Sequence, residues 1–348
     1  MAQSSPKYHF FRHNEQKVVE LLGKERLIAF FQQMLLIRKF ESTAEEQYKR
    51  GLIGGFFHSY IGQEAIQTAA VGAIGCDSWW ATTYRCHALA LLLGATPDEI
   101  MKELFGRAAG NAGGRGGSMH LYTDRLLGGF GIVGGQIPIG TGAAFSLKYL
   151  GKQDRVAMTF MGEGAVAQGA FHESLNIASL WNLPAVYVIE NNQWGMGTAA
   201  SRAISVAPIA ENFAKSYGMT SYTIDGQDFI HCYGAFEAIK EEVLSTSRPV
   251  LVEVITERFR GHSVSDPGNY RTKEELAICM KRDPLTILSK KLIDLGFITE
   301  AEIKEMGRGF DSQMEALVTA AEKSPWPDLR TLGEDVYAPD SFTLKGGA

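Results

Sequence analysis

The sequence predicts a doubly wound α/β fold, a mostly parallel sheet covered by helices on both faces, with helical N- and C-terminal extensions. Three observations predict it. From Gly151 onward, short apolar runs alternate with helical segments, the pattern of βαβ units. The first junction between a run and its helix reads Gly162-Glu163-Gly164-Ala165-Val166-Ala167, a tight strand–turn–helix signature. The 348 residues, 45% hydrophobic and 21% charged, suffice for a sizeable core and exclude a mainly disordered chain. Residues 1–348 are expected to form one α/β domain, with a helical arm over about 20–50, a core over about 55–260, and a loop with C-terminal helices over about 261–348.

Taken in order, Lys24 to Lys49 reads as a helix, because Leu27, Phe30, Phe31, Met34 and Leu35 recur at helical spacing. The run AAGNAGGRGGSMH (108–120) is the most glycine-rich part of a chain with 38 glycines; patterned sequence on both sides makes it a loop rather than a linker. Pro138–Tyr149 opens with proline and small residues, which suits a helix start packed closely on a neighbour. Arg155–Met161 is a short strand, Ala165–Trp181 a helix with Phe171, Leu175 and Ala178 on one stripe, and Pro184–Glu190 a second buried strand. Ser221–Ile224, Phe229–Leu244 and Pro249–Thr256 follow as strand, helix and strand. After Asp283-Pro284 the pattern is helical to about Glu322, then irregular.

Lys+Arg total 34 against 39 Asp+Glu, a net charge of -5, which gives no electrostatic reason to expect nucleic acid or an anionic membrane as partner. Cys76, Cys86, Cys232 and Cys279 form no C-x-x-C pair, so neither a zinc site nor a disulfide framework is indicated. A reducing compartment is expected, the cytoplasm of a bacterium, with a mitochondrial matrix or plastid as alternatives. No uninterrupted apolar run approaches the roughly 20 residues of a membrane span.

The glycine turn carries the chemistry. By pattern it satisfies the G-x-G-x-x-A dinucleotide fingerprint, and Glu190 ends the next strand where a ribose-binding acid would stand. A nicotinamide oxidoreductase is therefore a contender. Electrostatics opposes it, because Glu163 would face a pyrophosphate; two unit charges about 4 Å apart repel by roughly 4 kcal/mol at an effective dielectric of 20. A cation between them reverses the sign, so Glu163 makes most sense as a metal ligand, with a diphosphate as the metal's other ligand. Asn192 lies 29 positions later. One helix and one strand fill that interval, which puts both turns at the carboxyl edge of the sheet. Magnesium prefers such hard oxygen donors.

GEG, a spacer of about thirty residues and NN match the thiamine-diphosphate signature. Over about 25–330 the chain resembles the alpha subunits of the first component of 2-oxo-acid dehydrogenase complexes, most closely the pyruvate-acting members. The motifs are FFHSYIGQEA (56–65), TTYRCHA (82–88), GRGGSMHLY (114–122), GFGIVGGQIPIGTG (129–142), GEGAVAQGAFHESLN (162–176), ENNQWGMGT (190–198) and RGHSVSDPG (260–268).

The resemblance implies Mg²⁺ held by the Glu163 and Asn192 side chains and the Trp194 carbonyl. It implies diphosphate contacts from the Gly164 and Ala165 amides and from Tyr84 and Arg85, with Asn192 and His262 also at the cofactor. Gly131 and Val133 would meet the aminopyrimidine, and His58 and His262 the reacting carbon and substrate. It further implies a beta subunit in an assembly of two alpha and two beta subunits, a 2-oxo acid as substrate, and a dihydrolipoyl acetyltransferase as acyl acceptor. His120 and His172 are expected to be structural. Glu163 departs from the Asp of most pyruvate members and matches branched-chain relatives, so a branched-chain or acetoin-acting subunit is an alternative, as is a subunit that has lost activity. Arg260 replaces a family histidine, Gly113 and Arg115 stand where lysines are usual, and Ala88 replaces a glycine. Ser263 matches a position that kinases modify in some relatives. Arg260–Glu275 has the composition of a loop that orders over the site entrance.

Overall fold

In the computed structural model, which describes residues 8–334, helix α1 (Glu15–Lys49) starts at Asn14, whose side chain accepts from the Lys17 amide. Gly23, at φ 66° and ψ 177°, breaks it into two. The helical periodicity read from Lys24 belongs to the longer, second part. Then come α2 (Glu64–Ile74), β1 (Trp79–Thr83), α3 (His87–Leu92), α4 (Pro97–Leu104), β2 (Leu126–Phe130), α5 (Gln136–Tyr149) and β3 (Ala157–Gly162). A 3-10 turn over Glu163–Ala167 leads to α6 (Gly169–Leu180), so the helix expected from Ala165 begins four residues later, after Gln168 adopts an extended conformation at φ -78° and ψ 138°. The rest is β4 (Ala185–Asn191), β5 (Trp194–Gly195), β6 (Thr198–Ala199), α7 (Ala200–Ala203), α8 (Ile209–Ser216), β7 (Thr220–Asp225), α9 (Phe229–Thr246), β8 (Val250–Ile255), α10 (Lys273–Met280), α11 (Pro284–Asp294) and α12 (Glu300–Lys323).

Six of the strands form one sheet in the order β2-β1-β3-β4-β8-β7, every pair parallel. Side chains alternate between two apolar layers, as period-2 geometry requires. Met158, Phe160, Val186, Val188, Val252 and Val254 join the cluster under α1, α2 and α9. Ala157, Met161, Tyr187, Ile189 and Leu251 face α5, α6 and α8. Gly140 lets α5 lie directly on β3: a Cβ there would sit 1.9 Å from Thr159 Oγ1. The chain runs from β1 outward to β2, then returns to place β3 on the other side of β1. A crevice therefore opens at the carboxyl ends of β1 and β3, the topological switch point where such sheets bind ligands. Among the described residues, no helix is long and apolar enough to cross a membrane.

The glycine-rich loop is built around one carboxylate. Glu103, at the end of α4, is fully buried. Its Oε2 accepts from the Ala112 and Gly114 amides at 2.7 and 2.8 Å, and its Oε1 from Gly116 and Gly117 at 2.7 and 3.0 Å. A Cβ on Gly110 would lie 2.5 Å from that carboxylate, so the loop needs glycine to close around it. The C-terminal segment packs over the same loop, with the Arg107 guanidinium 3.9 Å from the Trp326 ring centroid. Glu103→Ala would strand four partly buried donors, and a fully buried donor left unpaired costs about 1–3 kcal/mol. We expect a loss of at least about 3 kcal/mol in denaturant unfolding and new protease cleavage within 108–120, with Glu103→Gln intermediate. Wild-type stability in Glu103→Ala would contradict this role.

Candidate active site

The crevice is a cavity of about 490 Å³ whose walls include Tyr84, Arg85, Glu163, Gly164, Asn192 and His262. Glu163 directly follows β3 and is 2% exposed. Gly162 pairs in register with Glu190 on β4, so Asn192, two residues further, arrives beside Glu163. The Asn192 amide donates to Glu163 Oε2 at 3.3 Å, while Glu163 Oε1 is buried without a partner. Burial raises this carboxyl above the usual carboxylate range, opposed by the Glu163 and Asn192 backbone amides and then by Arg258 and Arg85. A Cβ on Gly162 or Gly164 would meet nothing within 4 Å, and both glycines line the cavity beside Glu163.

One hard, anionic donor beside an amide oxygen can hold a divalent cation that in turn neutralises a diphosphate. No three His, Cys, Asp or Glu side chains cluster as a metal cage among the described residues; a site with a single carboxylate would form no such cluster. Asn192 Oδ1 accepts from the Trp194 amide at 3.3 Å. The Trp194 carbonyl, expected as the third ligand, accepts from Arg258 Nη1 at 3.2 Å, which leaves its second lone pair. The neighbouring Asn191 serves as the anchor: its Nδ2 donates to Glu253 Oε1 at 2.7 Å and its Oδ1 accepts from the Gln193 amide at 3.0 Å.

Tyr84 and Arg85 follow β1 across the crevice. Arg85 Nη1 and Nη2 donate to the Ser59 and His262 carbonyls, each at 2.6 Å. The guanidinium fork expected to grip a diphosphate thus ties together the two loops that carry His58 and His262. Their rings meet edge-on with centroids 5.1 Å apart, and the Tyr84 ring lies 4.3 Å from His58. Both Nδ1 atoms are buried without partners. Burial, then Arg85, pushes His58 down to about 3 and His262 to about 4, so both rings are neutral at pH 7.

The loop after His262 folds onto the site through its own contacts. The His262 amide and the Tyr270 hydroxyl each donate to Asp266 Oδ2 at 2.6 Å. Arg271 donates to the Arg258 and Arg260 carbonyls, both at 2.6 Å. Gly131 and Val133 line the cavity, where Phe56, Ile132, Val133 and Met196 form an exposed apolar rim. Gly164 and Ala165 line the wall beside Glu163. His120 and His172 hydrogen-bond to the Gly116 carbonyl and the Tyr217 hydroxyl, outside the cavity wall.

Sequence reasoning passed over several residues. Arg258 is 1% exposed and lies on the cavity wall; burial, then Arg85, lowers it to about 10. Its position two residues before Arg260 in ERFRGHS is the signal that could have found it. A buried chain joins Glu41 Oε2, His87 and Ser118 Oγ at 3.1 and 2.9 Å, and Glu41 Oε1 also accepts from the Tyr60 amide at 3.0 Å. Glu190, weighed as a ribose-binding acid, instead accepts from the Tyr60 hydroxyl and from Gln67 Nε2, and burial raises it to about 7.

The chain matches the family model described as Dehydrogenase E1 component over residues 32–330. It is 43% identical over 316 residues to the pyruvate dehydrogenase E1 component subunit alpha of Rickettsia felis, covering 90% of this chain and 96% of that one. It is 40% identical over 330 residues to the mitochondrial pyruvate dehydrogenase E1 component subunit alpha of Saccharomyces cerevisiae, covering 93% and 78%. With the mitochondrial type I subunit of Ascaris suum it shares 39% identity over 316 residues, 90% and 79% of the two chains. A glutamate and an asparagine brought together at the switch point, two neutral histidines across from them, and a match over most of the chain agree: this protein belongs to the dehydrogenase E1 component family.

Proposed function

We propose that this chain is the alpha subunit of a pyruvate dehydrogenase that uses thiamine diphosphate and Mg²⁺ and passes an acetyl group to a lipoyl group on a dihydrolipoyl acetyltransferase. The observation that carries this reading is the buried oxygen of Glu163, unpartnered among the described residues and beside Asn192, in a chain similar to proteins named pyruvate dehydrogenase E1 component subunit alpha. When bound, thiamine diphosphate supplies the carbon nucleophile and the electron sink needed to decarboxylate a 2-oxo acid. Everything else is the protein's task.

Glu163, Asn192 and the Trp194 carbonyl hold the metal, and the Gly164 and Ala165 amides, Tyr84 and Arg85 hold the diphosphate. Gly131 and Val133 bear on the aminopyrimidine. His58 and His262 each keep Nδ1 uncommitted, so a neutral imidazole can accept or share a proton close to the substrate. The apolar rim of Phe56, Ile132, Val133 and Met196 is suited to closure by a second chain. We infer that a beta subunit covers it in an assembly of two alpha and two beta subunits, leaving the isolated chain inactive.

Co-expression with a candidate beta subunit, followed by assay on pyruvate, 3-methyl-2-oxobutanoate and acetoin, tests the assignment. Pyruvate should be preferred; decarboxylation by the purified alpha chain alone would refute the need for a partner. Glu163→Ala should weaken Mg²⁺-dependent cofactor binding more than about 100-fold, since even partners outside a metal's own ligands are worth 10–100-fold. Binding within tenfold of wild type would remove Glu163 from the metal.

A pH dependence follows as well. His58 and His262 titrate at about 3 and about 4 when folded, against 6.5 ordinarily. Between those values the unfolded chain takes up protons that the folded chain refuses, so stability is fully present above pH 6.5 and falls as pH drops through 6.5 toward 4. Replacing both histidines with Gln should flatten that limb of the stability curve of the assembled protein. An identical slope in wild type and variant would show that these rings do not resist protonation.

A further inference from the structure

Gln63 sits at the N-cap of α2 but makes no side-chain cap hydrogen bond. It is 1% exposed, and both its Nε2 and its Oε1 are buried without a partner. The helix start is held without that side chain: the Ile66 amide donates to the Gln63 carbonyl at 3.1 Å, and Glu64 is paired with Arg38. Its side chain lines the same cavity as Arg85, Gly164 and Arg258. A buried primary amide with no partner among the described residues is costly and is expected to be matched by something that binds.

The identity of that partner follows from the other orphaned atoms on this wall. Glu163 Oε1 and Gln136 Oε1 are acceptors, and the His58 and His262 Nδ1 atoms belong to neutral rings. Among the described residues lining the cavity, Gln63 Nε2 is the orphaned amide donor. It shares the wall with two guanidinium groups and opens the first turn of an eleven-residue helix whose amide end favours anions. Glu190, on the same wall, is committed to Tyr60 and Gln67.

We propose that Gln63 is an additional anion-holding residue of the site, its Nε2 donating to a phosphate oxygen of the diphosphate. This rests on the thiamine-diphosphate reading above and extends its ligand set to the α2 end of the crevice.

Gln63→Met keeps length and bulk while deleting both polar atoms, and it separates a ligand role from a structural one by sign. The probe protein is the assembly of this chain with its beta subunit, stripped of cofactor. Its melting temperature should stay the same or rise, because an unmatched buried amide has been removed. Calorimetric Kd values for thiamine diphosphate at fixed Mg²⁺, and for inorganic pyrophosphate, should both weaken about tenfold. Gln63→Glu should weaken both further, by placing a carboxylate against the phosphates. Unchanged Kd values in Gln63→Met, with wild type binding normally, would overturn the Gln63 assignment and leave the functional reading intact. A cofactor-free assembly that melts lower in Gln63→Met would mark the residue as structural and overturn it too. Failure of the wild-type assembly to bind thiamine diphosphate would remove both.

Discussion

A carboxylate oxygen buried without a partner is the constraint around which the site is arranged. Glu163 is held 2% exposed directly after β3, where desolvation opposes its charge. One oxygen is answered by the Asn192 amide and the other by nothing among the described residues. Such a group is tolerated where a ligand completes it. Its surroundings serve that end: open space in front of Gly162 and Gly164, and Arg85 and Arg258 acting from a distance without taking the oxygen. Had either arginine paired directly with Glu163, the carboxylate would be satisfied and a divalent cation would have to displace it.

The other buried carboxylates around the crevice have the opposite character. Glu103 gathers four loop amides, Glu253 pins Asn191, and Glu41 holds both the Tyr60 amide and His87. Each fixes a segment close in sequence to a residue that lines the cavity: Met119, Asn192 and His58. Loops rich in glycine present backbone donors with few side chains to cover them, and a carboxylate supplies acceptors from inside. The site is therefore stiffened by satisfied carboxylates and made receptive by one that is not.

This division explains what could be read from the sequence. Glu163 and Asn192 were legible because parallel pairing converts a 29-residue separation into adjacency, and because a negative charge in a phosphate-type turn demands an explanation. The strands β3, β4 and β8 announced themselves as apolar runs, and β7 by its place in the alternation of strands and helices. β1 and β2 did not: β1 is five residues with a register irregularity at Trp80/Thr82, and β2 is an edge strand with two glycines, LLGGF. Their placement depends on pairing partners, which local pattern does not carry. The missed β1 is also why the switch point, and with it the setting of Tyr84 and Arg85, had to come from resemblance. Glu103, His87 and Arg258 were silent because a buried charge looks like a surface charge until its partners are known.

Arg85 does something that the resemblance did not imply. Its two terminal nitrogens clamp the carbonyls of Ser59 and His262, which fixes the separation of the imidazoles it sits beside. The same positive charge, after burial, is the largest influence keeping both rings unprotonated. One side chain thus fixes the geometry and reinforces the effect of burial on the protonation state. The result is a pair of neutral proton acceptors lying under a positive potential from Arg85 and Arg258. That combination suits the anionic 2-oxo acid proposed here: the arginines favour its approach, and the uncharged imidazoles remain free to take part in proton transfer rather than being consumed as counter-ions. Charging either histidine would add a third cation to a buried wall that already holds two, so the arrangement stays neutral where catalysis needs it neutral.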